Sequence, residues 1–364
     1  MVILDDFCRV IRSFLGDMMG EDKTYGPVPL ILEKYRNDIS DAIKDEITDT
    51  KLFVYDMLRY CMGWGDVKGN PIESEMGKSL RPSLCMFACE CAGRSPEIVL
   101  NAAASIELIH NFSLIHDEIQ DLDETRHHRP TLWTVWGKPK ALIAGDVLRV
   151  IADMAILDKN QVDSYKSLEA MSMLTEACLE MIEGQYMDIY FESRPYIMLD
   201  EYMSMISRKT GALIRCSLTI GSLLGGMSKE DVSSFRESGQ ALGYTFQIRD
   251  DILGIWGDSE LTGKPVGADI RRKKKSLPIL HAISESTGAS NRTLLDIFTK
   301  DNIDDFDVET VLTIMDETKT YMYSQDLACE YRDRALDAVG PAPLDSTQRE
   351  RFSELVYFLA QRKF

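Results

Sequence analysis

Apolar residues recur at helical spacing through most of this chain, and no alternating strand pattern persists. The spacing predicts long helices over Leu80–Cys91, Pro96–Glu118, Ala141–Leu157, Asp163–Phe191, Leu199–Leu224 and Lys229–Trp256. Several are apolar on more than one side, as helices at the centre of a large bundle are. Before them, Leu30–Tyr60 reads as one or two helices, and Gly63–Met76 reads as a loop rich in Gly, Asp, Asn and Pro. After Pro278 the helices shorten. The last begins near Asp345 and Ser346, good N-cap residues, and carries a stripe of Phe352, Leu355, Val356 and Leu359. Arg362 and Lys363 then sit where a helix dipole favours cations, which suffices to explain them, a basic tail closing over a phosphate site being the alternative. At the other end, Met1–Met19 is a short amphipathic segment, and Asp22–Pro29 is a connection. With no linker dividing the middle, the expectation is an all-α protein: an appendage over 1–29 and a single large helical bundle over 30–364.

Composition narrows the function more than the fold. Of 364 residues 45% are apolar, ample for a sizeable core, and the net charge is −18. Such a charge argues against a nucleic-acid surface, so the few basic clusters suit small phosphorylated ligands better. Eight cysteines show no paired metal spacing and read as buried apolar groups in a reducing cytosol. There is no signal-peptide pattern and no 18-residue apolar stretch, so no membrane-spanning segment is expected.

Two acidic clusters carry the candidate chemistry. Asp117 and Asp121 end the apolar run Ala102–Ile115, four residues apart and therefore on one helix face. Between Glu107 and Glu124 no lysine or arginine relieves their repulsion. A divalent cation would, and magnesium favours a few carboxylates together with phosphate oxygens. The plain alternative is a solvated acidic helix end. A second cluster, Asp250 and Asp251 in Phe246–Asp258, weighs against that alternative, since two acidic helix ends can face one another across a cavity. Basic residues follow both: Arg126 and Arg129 after the first, Lys264 and Lys273–Lys275 after the second.

With these residues in place, the chain resembles the trans-isoprenyl diphosphate synthases. The resemblance runs from about Gly77 to Pro278 through six motifs in the family's order. They are Gly77-Lys-Ser-Leu-Arg-Pro82, Asp117-Glu-Ile-Gln-Asp121, Gly184-Gln185 with Asp188, Lys209-Thr210, Phe246-Gln-Ile-Arg-Asp-Asp251, and Gly263-Lys264 with Gly267, Asp269 and Lys274. The resemblance implies an isoprenoid-synthase bundle around a central cavity, and a homodimer. It implies condensation of isopentenyl diphosphate with an allylic diphosphate, assisted by magnesium, three ions in number. Carried over position by position, Asp117, Asp121 and Asp250 would be direct metal ligands, with Asp251 in the metal site through water or from behind. Arg126, Lys209, Lys264 and Lys274 would hold the allylic diphosphate. Lys78, Arg81 and His110 would hold isopentenyl diphosphate, with Thr210 and Gln247 beside the reacting pocket.

The remaining residues are read more plainly. Lys273 and Lys275 are expected to be solvated, Trp133 and Trp136 to pack, and Asp146 to order a helix start. Three departures from the family pattern stand out: Glu118 in place of the second aspartate of the first motif, Gly254 in place of the third of the second motif, and His127 in place of an arginine. Histidine cannot offer a charged fork to a diphosphate, so weaker capture of the second substrate is expected. That keeps open a terpene synthase that cyclises a prenyl diphosphate or eliminates diphosphate from it, and, further off, a regulatory subunit. Phe112 lies five residues before Asp117, about 7.5 Å deeper along the helix. The resemblance makes it part of the floor under the growing chain and implies a C20 product, with C15 next.

Overall fold

The computed structural model describes residues 28–48, 51–72, 77, 79–127, 129–157, 164–258, 261 and 265–363. The appendage segment Met1–Met19, Lys78 and Lys264 therefore lie outside the described residues. What is described is helical apart from one small hairpin. The helices are α1 Leu30–Lys34, α2 Arg36–Glu46, α3 Val54–Cys61, α4 Leu80–Cys91, α5 Leu100–Gln120, α6 Leu132–Trp136, α7 Lys138–Ile156, α8 Ser164–Glu192, α9 Leu199–Ile206, α10 Ala212–Gly225 and α11 Lys229–Trp256. They continue as α12 Ala268–Arg271, α13 Leu277–Glu285, α14 Gly288–Thr299, α15 Asp305–Glu317, α16 Thr320–Ala338 and α17 Ser346–Gln361.

The most extensive packing is of α5 on α7, α11 on α16, and α10 on both α4 and α11. Composition explains why α4 can sit inside: Leu84, Cys85, Met86, Phe87, Ala88 and Cys89 are all buried, so the middle of this helix presents no polar side to water. α5 with its 3₁₀ lead-in, Pro96–Gln120, is by length and mean hydropathy apolar enough to cross a membrane. Here it is a core helix, with Ala103, Ala104, Ile106, Leu108 and Ile109 fully buried against its neighbours. A second apolar cluster holds the small helices α12–α15 to the end of α11 through Ile255, Ile270, Ile279 and Val311. A third, around Phe191, Tyr202, Ile248, Ile252 and Leu277, underlies the second acidic motif.

Three local features depart from the sequence expectation. The predicted continuous helix Leu199–Leu224 is interrupted by a π segment, Ser207–Gly211, carrying Lys209 and Thr210. A hairpin pairs Thr125–Arg126 (β1) with Arg129–Pro130 (β2), with His127 in the turn at φ 47°. Strands this short have no periodicity to read. Asp146 lies well inside α7 and does not order its start.

Candidate active site

A cavity of about 1480 Å³ runs into the bundle between α5, α7, α8, the π segment, α11 and α17. Its wall brings together Arg81, His110, Phe112, Asp117, Arg126, Lys209, Thr210, Gln247 and Asp250 from the sequence-derived set. Asp121, Asp251 and Lys274 are not on that wall.

At the end of α5, burial in concert with Asp121 and Asp188 pushes the Asp117 carboxyl up to about 6, against the pull of Lys209. Burial likewise raises Asp121. Glu118 in the departing position is buried and lifted by that burial to about 7, with Arg126 Nε 3.8 Å away. Charge has thus been placed where the fold by itself disfavours it. Lys209 is the one described cation reaching Asp117 within salt-bridge distance, at 3.8 Å, and it is held more tightly by Asp188, at 2.6 Å. Burial works against the charged form of Lys209, but Asp188, Asp117 and Asp121 outweigh it and keep the ammonium above its ordinary range. Asp188 thereby joins the site; its place in the Gly-Gln-x-x-Asp motif was the signal.

On α11 the adjacent pair separates. Asp250 is half exposed and accepts a hydrogen bond from Arg362 Nη2 at 2.5 Å. Asp251 is 1% exposed and turns into the third apolar cluster. Its two oxygens accept from Tyr202 Oη at 2.6 Å, Gln247 Nε2 at 3.0 Å, Leu277 N at 3.0 Å and Lys274 Nζ at 3.2 Å. With four donors on it, Asp251 acts as an anchor for its neighbours and has no free face for a metal. Lys274, its side chain partly exposed, also lies 3.5 Å from Asp269, and against the pull of desolvation Asp251 and Asp269 hold its ammonium above its ordinary range. Gln247 is fixed at both ends, since its Oε1 accepts from Thr210 Oγ1 at 2.6 Å. The absent third aspartate also has a cause. A Cβ on Gly254 would come within 2.2 Å of Asp269 Oδ2, so the Asp269 carboxylate fills the space where that side chain would start.

The cationic side of the cavity lies toward the start of α4. Arg81 Nη1 is 3.1 Å from His110 Nε2. A guanidinium only donates, so this imidazole nitrogen accepts and the ring proton sits on Nδ1. Burial, then Arg81 and Arg126, hold His110 well below its ordinary pKa, so it stays neutral and aims Arg81. Burial lowers Arg81 to about 10, with Glu107 opposing; it remains charged at neutral pH. The Nε atoms of Arg81, Arg126 and Arg362 are buried without a hydrogen-bond partner, Arg126 having only the Glu118 carboxylate at 3.8 Å. Arg362 lies here as well, on the side of the alternative in which the basic tail closes over the site. It is the residue on which α17 ends, and its backbone turns so that Arg249 Nε donates to its carbonyl at 2.7 Å. Its guanidinium lies over the Phe246 ring at 4.1 Å, so the helix dipole is not what places it. Lys273 and Lys275 are likewise not simply solvated: they donate to the carbonyls of Lys300 and Pro195. Trp133 and Trp136 pack as expected, Trp136 edge-on to Tyr60 at 5.0 Å.

A divalent cation fits this donor set under one condition. Among the described residues no three acidic, histidine or cysteine side chains converge on one point. An ion would take one or two carboxylates from Asp117, Asp121 or Asp250 and complete its shell with phosphate oxygens, the habit of magnesium.

Comparison with known proteins gives the family and the fold. The family model for polyprenyl synthetase matches residues 70–315. A (2E,6E)-farnesyl diphosphate synthase of Mycobacterium tuberculosis is 42% identical over 236 residues, and the matched region spans 65% of this chain and 65% of that protein. A geranylgeranyl diphosphate synthase of the same organism is 34% identical over 282 residues, 76% of this chain and 80% of its own length. Among solved structures, a polyprenyl synthetase of Streptomyces coelicolor superposes with a TM-score of 0.85 at 33% identity, covering 92% of this chain and all of that one. A geranylgeranyl pyrophosphate synthetase of Pyrococcus horikoshii gives 0.83 at 31%, over 92% of this chain and 98% of its own. Both acidic clusters fall inside the matched region, and the chain belongs to the polyprenyl synthetase family, the trans-isoprenyl diphosphate synthases.

Proposed function

We propose that this protein elongates an allylic diphosphate with isopentenyl diphosphate to a short-chain prenyl diphosphate, geranylgeranyl diphosphate being the main product. The observation that carries this reading is that one cavity holds two unlike anion sites: the acids with Lys209, and the Arg81, Arg126 and Arg362 guanidinium edges. Elongation needs two diphosphates bound at once. A cyclase needs one, and the similar proteins are named as chain-elongating synthases, so the cyclising and regulatory readings gain nothing here.

Magnesium, when bound, would neutralise the charge on the departing diphosphate, with Asp117, Asp121 and Asp250 as its protein ligands. Lys209, fixed by Asp188, donates to that diphosphate without moving. Arg81, aimed by His110, holds the second diphosphate. Thr210 and Gln247 form the wall between the two sites, and the buried apolar faces beside them keep water from the allylic carbon.

The reading includes a homodimer. Ile143, Val150 and Met154 on α7 and Leu179, Ile182 and Tyr186 on α8 recur at helical spacing and are 48–68% exposed. An apolar face of that extent suits a second copy of the chain. A reducing, cytoplasmic setting is supported by the free thiols of Cys85, Cys89 and Cys216 in the core. The test is to incubate the purified protein with magnesium, geranyl or farnesyl diphosphate, and isopentenyl diphosphate, and to identify the products. Chains no longer than the starter would overturn elongation. Phe112→Ala, opening the floor, is expected to lengthen the product; an unchanged length would remove Phe112 from the floor.

A further inference from the structure

The crossing of α5 and α7 carries more than the Phe112 floor. An ideal Cβ on Gly145 would lie 2.5 Å from both Cδ2 and Nε2 of His116, and 3.6 Å from Cδ2 of Phe112. The His116 ring therefore rests directly on the backbone of α7. Its Nε2 donates to the Leu142 carbonyl at 3.4 Å and lies 3.7 Å from Asp146 Oδ1. On its other side Phe112 packs edge-on, with centroids 4.7 Å apart and planes at 61°. Phe112 and His116 are four residues apart, on one face of α5, whereas Asp117 is turned about 100° away. Phe112, His116 and Asp146 all line the cavity.

We propose that Gly145 is a specificity-determining position: by carrying no side chain it lets His116, and Phe112 leaning on it, stand back from the cavity, and so sets the length of prenyl tail that fits. The proposal rests on the elongation reading above, for which it names the depth stop. A methyl group at 145 requires the 2.5 Å approach to open to at least the 3.4 Å of ordinary contact. α7 is packed along α5, so the free direction for the imidazole is into the cavity, and the Phe112 ring is carried with it. Asp146, the next residue on α7, lies beside the same ring nitrogen at 3.7 Å.

Two variants of opposite sign test this in the full chain. Gly145→Ala is expected to shift products toward shorter chains, lowering the ratio of C20 to C15 about tenfold, the low end of what one methyl-sized change in an apolar pocket discriminates. His116→Ala frees the space on α7 for Phe112 to retreat into, and is expected to raise the same ratio. Adding Phe112→Ala to Gly145→Ala should restore the longer product, because the displaced ring is gone. Binding of inert prenyl thiolodiphosphates of ten, fifteen and twenty carbons gives a readout that needs no turnover. Gly145→Ala should weaken the twenty-carbon ligand about tenfold relative to the ten-carbon one. A folded Gly145→Ala with unaltered chain-length preference in both assays overturns the proposal. Should Gly145→Ala not fold, an unaltered preference in His116→Ala overturns it equally. A wild-type protein that binds by tail length yet never extends its starter would defeat the elongation reading while leaving the depth stop standing.

Discussion

The two acidic motifs look alike in the sequence and are opposites in the structure. On α5 the acids stand four apart, share one face and repel. Burial raises both carboxyls, Asp117 to about 6, and the nearest ammonium, Lys209, is claimed first by Asp188. On α11 the acids are adjacent, so about 100° of rotation separates them. Asp250 faces the cavity and Asp251 faces inward onto four protein donors. The first motif is held in an electrostatic conflict that a bound cation would relieve. In the second, one carboxylate faces the cavity and the other anchors the helices behind it. An acid's function here follows from which side of the helix it leaves, and the count of acids says little.

The sharpest way to break that comparison is Asp251→Asn set beside Asp250→Asn. Removing the charge from Asp251 leaves the Lys274 ammonium with Asp269 alone and turns an amide N–H toward other donors. A loss of about 3–5 kcal/mol is expected for a buried pair broken on one side, seen as an early urea midpoint. Asp250→Asn, at a half-exposed carboxylate, should change stability by less than about 0.5 kcal/mol. Equal losses in the two variants would end the distinction.

Turnover should rank them the other way. Asp117→Asn and Asp250→Asn are each expected to lower kcat by about 10²–10³, as removal of one group stabilising transition-state charge does, with the urea midpoint held. A folded variant with near wild-type turnover would take its residue out of the metal site.

Tyr202→Phe probes the anchor more gently. It removes one donor from Asp251 and costs about 1.5–3 kcal/mol, the range for hydrogen bonds to charged groups. Loss of activity with stability intact would contradict an anchoring role.

The smallest effect concerns the first motif and pH. Acids whose pKa is raised by folding bind more protons folded than unfolded, so the stability they contribute falls as pH rises from the ordinary carboxylate range. For Asp117 that loss is complete above about 6, and Glu118 extends it to about 7. Magnesium should therefore raise Tm more at pH 8 than at pH 5.5, where protons compete for the same oxygens. Thermal scans at both values check it, and an equal rise at both would mean that these acids do not bind the ion.

Much of this was open to reading from the chain because the causes are local. Helical periodicity decides that residues at i and i+4 share a face, so the pairing of Asp117 with Asp121 and the depth of Phe112 below them follow from spacing alone. The predicted limits Leu80–Cys91 are those observed, since the apolar run itself spans the helix. The separation of Asp250 from Asp251 was also implicit in their adjacency. Which of the two would face the cavity was not, because that depends on Tyr202, Lys274 and Leu277 arriving from other parts of the chain.

What only the tertiary structure decided are contacts across long stretches of chain. Arg249 reaches the Arg362 carbonyl 113 residues away and so delivers that guanidinium to Asp250, a pairing no local pattern encodes. The π segment at Ser207–Gly211, the hairpin that lifts Arg126 to the cavity, and the contact of His116 on Gly145 are of the same kind. Periodicity sets which face of a helix is apolar. It does not set which neighbour that face will meet, and at this site the neighbours turn an acidic pair into one cavity-facing carboxylate and one anchor.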